Sequence, residues 1–533
     1  MVAGISVAVV QIPQAMAFAL IAGLPAVYGL YASLFGCIAS LWGSSRQLST
    51  GPVAMVSLLT FTSLVSLAPP GSEHFIRLAA TLALLTGLIY LLLGFFRFGS
   101  MIHLVPHSVI AGFSSAAAVL IVISQIPTLL GISLPSSEIV LRNILNLVQT
   151  LPHLSPIATA LGIGALVILV LFRRLPHSFP SALIVLLLAI LAGYGLRLDL
   201  HGVAIIGEIP SGLPHLVLPF IGVNSLALLL PKAAVLALVA FVATHANTAT
   251  LARSTRERQD TDQELVGQGL ANVVASFFQG YPISGSFTRS AINREAGART
   301  SFSSVVSTGV TLATILFLTP LFFYLPLTAL AAIVILSAVS LIDIRRIREM
   351  YAISRSDGLV ALFTFCMVFV MKPEDALFTG MVVALLVFIR QMVWGSHVSE
   401  VGIDVEKRVL LSTIQNDQVR IFPGVVIVRV GVSLYYANTD QALTQVDGII
   451  ASHTHQGDQV KNLVLDMSGV NFVDISGMEI LEEYIEKWEQ QHMRISMIYV
   501  REQVFEILKN TSYFGHRNIF YNISELRTQL QLI

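Results

Sequence analysis

Charge is scarce in this chain of 533 residues: Asp, Glu, Lys and Arg together supply 12% of it, and hydrophobic residues supply 55%. Soluble domains usually carry about 25% charged residues, so a water-soluble fold of this length is excluded. A basic surface for nucleic acid is excluded with it. Cysteine is nearly absent. Cys37 and Cys366 are the only two, both in apolar runs without Cys or His at metal-ligand spacing, which leaves neither a disulfide framework nor a zinc site. No nucleophile and base, phosphate-cradling loop or metal cluster stands at useful spacing, so no enzymatic chemistry, metal or cofactor is expected. The first apolar stretch has no basic flank and no good cleavage site, which argues against a cleavable signal peptide. Its abrupt start at Met1 points to an N-terminal lead-in beyond the given sequence.

What is present is apolar chain in runs near the length of about 20 residues that crosses a bilayer. The few charges are divided. Residues 1–395 hold 20 Lys/Arg and 14 Asp/Glu, a net +6, and the remainder holds 11 and 17, a net −6. The shift separates a membrane domain with basic loops (1–395), a linker (396–415) and a mildly acidic cytoplasmic domain (416–533). Seven candidate spans come first: Val2–Leu24, Val27–Trp42, a short one from Gly51, Ile76–Phe96, Pro106–Gly131, Ile157–Phe172 and Pro180–Leu196. Seven more follow: Pro231–Leu251, Glu264–Phe278, a short one from Ser286, Phe302–Tyr324, Leu327–Leu341, Asp357–Met371 and Ala376–Trp394. The third of each set is short, rich in Gly, Ser and Thr, and entered through a Gly/Pro turn. That is the pattern of inverted repeats whose broken helices hold a substrate at the bilayer midplane. Basic loop residues, fourteen on one side (Arg142 not among them; Arg173, Arg174 and Arg256 included) against five on the other, put both termini in the cytoplasm. After Trp394, strands at Val425–Val430, Asn462–Leu465 and Ile495–Val500 alternate with helices at Asp440–Ala451, Ser476–Gln491 and Glu502–Asn510, the signature of a small α/β domain.

Three clusters in the apolar part carry chemistry. Arg289 lies in the run Gly285-Ser286-Phe287-Thr288-Arg289-Ser290-Ala291-Ile292-Asn293, just inside a segment read as a short apolar helix. A guanidinium at membrane depth is costly and is kept where it lines a pathway or meets a partner. It either faces an anion, beside a helix N-terminus whose dipole favours negative charge, or satisfies a buried carbonyl or carboxylate. The run Ser49-Thr50-Gly51-Pro52-Val53-Ala54-Met55-Val56-Ser57 has the same design in the first half, with Gly for close approach and Pro for a first helical turn. The other reading of it is a tight loop. Gln14 follows Pro13 in a helix that Pro13 kinks, with Phe18 one turn later; each alone is as compatible with packing as with ligand binding.

These residues bring a resemblance. The runs Gln11-Ile12-Pro13-Gln14-Ala15-Met16-Ala17-Phe18-Ala19, Gly23-Leu24-Pro25-Ala26-Val27-Tyr28-Gly29-Leu30-Tyr31 and Gly43-Ser44-Ser45-Arg46-Gln47-Leu48-Ser49, with the segment from Gln263 to Asn293, resemble the SulP family of sulfate permeases, relatives of pendrin and prestin. The resemblance implies a polytopic α-helical membrane protein with fourteen spans as seven-plus-seven inverted repeats, divided into core and gate domains. It implies a homodimer working by elevator-like movement, with a small inorganic anion held between the third and tenth spans. The site carried over by motif comprises Gln14 and Phe18, Val53 and Ala54, and Ser286, Phe287, Thr288 and Arg289. The C-terminal part resembles a STAS domain, with its signature at Leu465-Asp466-Met467-Ser468-Gly469 and Val473-Asp474-Ile475-Ser476-Gly477, and a cytoplasmic protein partner for it is possible.

Two positions depart from the pattern. The acidic residue that coupled bacterial members place in the eighth span falls here at Ala243, and no Asp or Glu occurs between Pro231 and Ala252. His245 stands in the same span either as a substitute or as a packed histidine. In signalling STAS proteins a phosphorylatable Ser follows the Asp of the loop; here that position is Ile475, with Ser476 next as a candidate helix cap. The expected function is secondary active transport of sulfate across the cell inner (plasma) membrane, with bicarbonate, a dicarboxylate or anion exchange as alternatives. A reading of another class makes the chain a transport-inactive membrane sensor that signals through its STAS domain.

Overall fold

Apolar runs bounded by Gly, Pro and Ser set the helix ends in the computed structural model, which describes residues 1–100, 105–132, 146–172, 180–208, 212–219, 222–255, 258–395, 397–404, 409–413, 419–509, 519–520 and 525. Arg142, Arg173, Arg174 and Arg256, all used in the orientation reading, lie outside the described residues. The chain forms two units, Met1–Ala384 and Leu385–Ile533.

The first unit begins with α1 (Val2–Ile21), α2 (Val27–Ser33), α3 (Gly36–Trp42), β1 (Ser49–Gly51), α4 (Ala54–Leu64), α5 (Glu73–Phe95), α6 (His107–Leu130), α7 (Pro156–Phe172) and α8 (Ser181–Gly195). It continues with α9 (Val223–Thr255), α10 (Thr261–Phe277), β2 (Ser284–Ser286), α11 (Phe287–Glu295), α12 (Phe302–Ala313), α13 (Leu327–Val339), α14 (Ile344–Ile353), α15 (Arg355–Val370) and the first half of α16 (Pro373–Trp394), which runs on past Ala384 into the second unit. Among the described residues seven helical stretches are long and apolar enough to cross a membrane by length and composition, and four shorter apolar helical stretches accompany them.

Several spans differ from their sequence reading, each for a local reason. Val27–Trp42 is broken into α2 and α3. A Cβ on Gly36 would lie 2.0 Å from the Thr50 carbonyl oxygen, so the break falls where the β1 backbone crosses. The segments read as helices from Gly51 and Ser286 begin as extended chain and turn helical only at Ala54 and Phe287. The Phe302–Tyr324 span leaves α-geometry at Thr314, passing through a π-turn to Leu318 and a 3-10 turn over Thr319–Phe322, where Pro320 withholds a donor. The stretch between Leu341 and Asp357 holds α14, too polar for a search for apolar runs to register.

Helices approach closely where side chains are small. Gly87 on α5 and Gly269 on α10 face each other, and a Cβ on either would come within 2.9 Å of the other's carbonyl oxygen. Without a hydrophobic drive between helices in lipid, such backbone-to-backbone packing is what holds them together.

The second unit carries a six-stranded sheet in the order β4-β3-β5-β6-β7-β8, built from β3 (Val398–Asp404), β4 (Val409–Ser412), β5 (Val425–Val430), β6 (Asn462–Asp466), β7 (Arg494–Ile498) and β8 (Ile519–Phe520). Strands β5 to β8 run parallel, and β3 pairs antiparallel with β4 and β5. The stretch 396–415 therefore contributes two strands. Helices α17 (Thr439–His455), α18 (Ile475–Gln490) and α19 (Glu502–Lys509) bury Leu443, Val446, Leu481, Ile485, Trp488 and Val504 against Val426, Val428, Leu463 and Leu465. Asp474, not Ser476, caps α18: its Oδ1 accepts the Gly477 N–H at 2.6 Å. Ile475 is 73% exposed at the start of that helix.

Candidate functional site

The site grows from two three-residue strands. Ser49, Thr50 and Gly51 pair antiparallel with Ser286, Gly285 and Ser284, so the two halves of the unit meet backbone to backbone. A Cβ at Gly51 would fall 3.1 Å from Nη2 of Arg289, and one at Gly285 would fall 3.1 Å from the Thr244 side chain. Larger residues at either place would push these groups away. From the crossing, α4 leaves after Val53 and α11 after Ser286, in opposite senses because the strands are antiparallel. Each helix starts with N–H groups that have no intrahelical acceptor and with the positive end of its dipole. On α11 one of these donors is used internally, as the Arg289 N–H meets Ser286 Oγ at 3.4 Å. On α4 the N-cap Val53 offers no side-chain acceptor.

Arg289 is fully buried, 0% exposed. Nη1 donates to the Pro52 carbonyl at 2.8 Å, tying α11 to the loop that opens α4. Nε and Nη2 are buried and have no hydrogen-bond partner among the described residues. No carboxylate pairs with the guanidinium there. The helix that carries it, Phe-Thr-Arg-Ser-Ala-Ile-Asn-Arg-Glu, is polar rather than apolar as read from sequence. Its buried side is fixed by side-chain bonds to β1 and the loop before it: Ser290 Oγ accepts the Ser49 N–H at 2.9 Å, and Asn293 Nδ2 donates to the Gln47 carbonyl at 2.9 Å.

α1 packs against both α4 and α11, which brings Gln14 and Phe18 beside the crossing. Gln14 is 7% exposed and makes no side-chain hydrogen bond among the described residues; Phe18 is 5% exposed. Ala54 and Ser286 are buried, Val53 is half-buried, and Phe287 and Thr288 are exposed. The residues carried over by motif thus gather on α1, α4 and α11 in two classes, a mostly buried set around Arg289 and an exposed pair, Phe287 and Thr288.

The supports of the crossing were not singled out in the sequence. Glu264, Gln268 and Asn272 repeat every four residues along α10 and are all buried. Gln268 Nε2 donates to Thr50 Oγ1 at 2.8 Å, and Asn272 takes both sides of Ile283, accepting its N–H at 2.9 Å and donating to its carbonyl at 3.0 Å. The Glu264 carboxylate accepts the Ser44 and Ser45 N–H groups at 3.0 and 3.1 Å, which fixes the loop before β1. From α9, Thr244 Oγ1 accepts the Gly285 N–H at 3.1 Å and Asn247 Nδ2 donates to the Gly285 carbonyl at 3.1 Å. The visible signal was the four-residue spacing of polar side chains in a helix otherwise fit for a membrane.

Ala243, one residue before Thr244, lines an apolar cavity with Met55, Phe113, Val239, Val242 and Leu377. His245 lies on the far side of that turn, its Nδ1 3.2 Å from Gln259 Nε2 and its ring 6.4 Å from that of Phe241.

Two family descriptions match the chain: the sulfate permease family over residues 1–364 and the STAS domain over residues 417–526. A protein of Arabidopsis thaliana named sulfate transporter 4.1, chloroplastic, is 31% identical over 510 residues, covering 93% of this chain and 74% of the relative. A probable sulfate transporter of Mycobacterium tuberculosis, Rv1739c, is 30% identical over 529 residues, covering 98% and 93%. The structure of the murine solute carrier 26 family member A9 anion transporter in the inward-facing state superposes with a TM-score of 0.89 at 26% identity, covering 100% of this chain and 91% of that one. The transmembrane domain of a cyanobacterial bicarbonate transporter, BicA, gives a TM-score of 0.61 at 27% identity over 72% of this chain and 96% of that one. With two half-helices meeting at a buried arginine, a membrane fold shared with these transporters and a STAS domain at its end, the chain belongs to the sulfate permease family, whose members are anion transporters and not enzymes.

Proposed function

We propose that this protein is a secondary active transporter that carries sulfate. The observation that supports it most is the convergence of the α4 and α11 N-termini on one crossing, with a buried Arg289 whose Nε and Nη2 have no protein acceptor among the described residues. Such a place favours a small oxyanion: helix N–H groups bind it, and the guanidinium supplies charge behind them. In this reading Val53, Ala54, Ser286, Phe287 and Thr288 surround the ion, Gln14 offers an amide from α1, and Phe18 walls the pocket. The relatives' names, sulfate transporter in a plant and in a mycobacterium, support sulfate as the ion; a bicarbonate or dicarboxylate ion, or anion exchange, is the alternative.

The wider arrangement belongs to the same proposal. Residues 1–395 form the transport domain with fourteen spans in two inverted repeats, 396–415 a connection whose strands β3 and β4 join the sheet of the second unit, and 416–533 a cytoplasmic STAS domain that can take a protein partner. Both termini face the cytoplasm across the cell inner (plasma) membrane, and two copies pair as a homodimer in which a core moves against a gate. Counterflow of radiolabelled sulfate in proteoliposomes tests the proposal, with bicarbonate and a dicarboxylate as competing unlabelled ions. Exchange that saturates with sulfate is the expected result. Binding without flux would favour the sensor reading, and flux blocked only by bicarbonate would change the substrate.

A further inference from the structure

α14 has no buried residue, and local structure does not account for its charges. It stands between the apolar helices α13 and α15, joined to them by residues 340–343 and by Ser354. Ten residues rise about 15 Å, half of the hydrocarbon thickness of about 30 Å, so the chain turns along one face of the bilayer here instead of crossing it. Its start is fixed to the unit, since the Asp343 N–H donates to Ser115 Oγ of α6 at 3.2 Å and Asp343 Oδ1 accepts the Arg346 N–H at 2.9 Å. At helical spacing Ile344, Ile347 and Met350 share one side, which continues into Tyr351 packed on Gly358 of α15, and Arg346 and Arg348 border it. Ile344 is 68% exposed.

Arg345 and Arg346 occupy the first turn of α14, and Arg355 is the first residue of α15. A cation at a helix N-terminus opposes the dipole. The acids nearby offset this only in part: Asp343 caps α14, Asp357 sits in the first turn of α15, and Glu349 is shared by Arg345 at 2.9 Å and Arg346 at 4.0 Å. Arg348 and Arg355, both exposed, have no side-chain hydrogen bond or ion pair among the described residues.

We propose that α14, with Arg355, is a docking shelf for anionic phospholipid headgroups: the apolar side enters the headgroup boundary and Arg348 and Arg355 hold the phosphates. Charge complementarity selects this occupant, because an apolar stripe bordered by unpaired arginines beside two membrane helices meets lipid phosphates before any other anion. Each such arginine contributes about fivefold to a preference for anionic over zwitterionic lipid.

The test uses the full purified chain in micelles with equimolar phosphatidylglycerol and phosphatidylcholine, counting retained lipids by native mass spectrometry. Retention of phosphatidylglycerol over phosphatidylcholine by about tenfold or more is expected. The double variant Arg348→Gln/Arg355→Gln falls near parity, Arg348→Lys/Arg355→Lys keeps the enrichment, and Arg299→Gln, an exposed arginine elsewhere, leaves it intact. Parity in the unaltered protein, enrichment that survives the glutamine pair, or equal loss in Arg299→Gln would overturn the proposal. Lipid counting needs no transport, so its outcome stands apart from that of the sulfate assay.

Discussion

A guanidinium sealed from water with two donors unused costs several kcal/mol at membrane depth unless a negative charge offsets it. Arg289 is in that position, with Nη1 spent on Pro52 and with Nε and Nη2 left over. At a separation of about 5 Å and an effective dielectric constant of about 20, its attraction for a univalent charge is about 3 kcal/mol. Gln14 acts at the same scale in a different way. Its amide is nearly buried and bonds to nothing in the described protein, so removing it costs little stability while removing one donor from the ion. Gln14→Leu is expected to leave the melting temperature within about 2 °C and to raise the half-saturation concentration for sulfate about tenfold, the worth of one hydrogen bond to a charged group. Half-saturation in counterflow and a thermal melt in detergent check both parts; a large drop in melting temperature with unchanged affinity would make Gln14 a packing residue.

Among elements, α10 does the holding. Its polar residues at four-residue spacing clamp β1 through Thr50 and the entry to β2 through Ile283. Asn272→Ala would leave a buried N–H and a buried carbonyl of Ile283 unpaired, each costing about 1–3 kcal/mol. A melting temperature lower by several degrees, together with slower counterflow, is the expected outcome of that substitution. Wild-type stability would show that the crossing holds without the clamp. This level was only partly legible in the sequence. Gln14 stood out because a polar side chain in an apolar helix has no ordinary reason to be there, and Arg289 because a guanidinium falls between apolar spans, although its own helix is polar. The Gly/Pro turns marked where α4 and α11 start, to within three residues. The pairing of β1 with β2 was not readable: three residues are too few for strand alternation, and their partners lie more than 200 positions away. Gln268 was missed because its partner is a hydroxyl of a distant segment, and Asn272 because its partner is the backbone of the turn that follows its own helix. The arginines of α14 were read only as cytoplasmic charge, since a half-length amphipathic helix gives no span signal.

For the molecule as a whole, the question at Ala243 is what drives transport. The cavity around Ala243 is lined by Met55, Phe113, Val239, Val242 and Leu377, with no carboxylate among them. Sulfate counterflow by the unaltered protein is therefore expected to be indifferent to an inward proton gradient. Ala243→Glu is expected to make it gradient-dependent, because a carboxyl group in an apolar cavity gains and loses its proton readily near neutral pH. Uptake measured with and without an imposed pH step separates these outcomes, and gradient-driven uptake by the unaltered protein would place the proton carrier elsewhere. That the chain combines a membrane part with an α/β part was legible from the shift in charge along it; the two units themselves part at Ala384. The strands at 398–404 and 409–412 escaped notice because β4 is a four-residue edge strand and β3 mixes Ser, Glu, Gly and Asp with its apolar residues, whereas β5 to β7 carry the stronger apolar signal. The account as a whole depends on the buried charge between α4 and α11. Sulfate affinity of Arg289→Ala and Arg289→Lys in the purified protein, each shown by a thermal melt to be folded, tests it directly. Affinity about two orders of magnitude weaker for alanine and nearer to the unaltered value for lysine is expected; a folded alanine variant that binds sulfate as tightly as the original would contradict it.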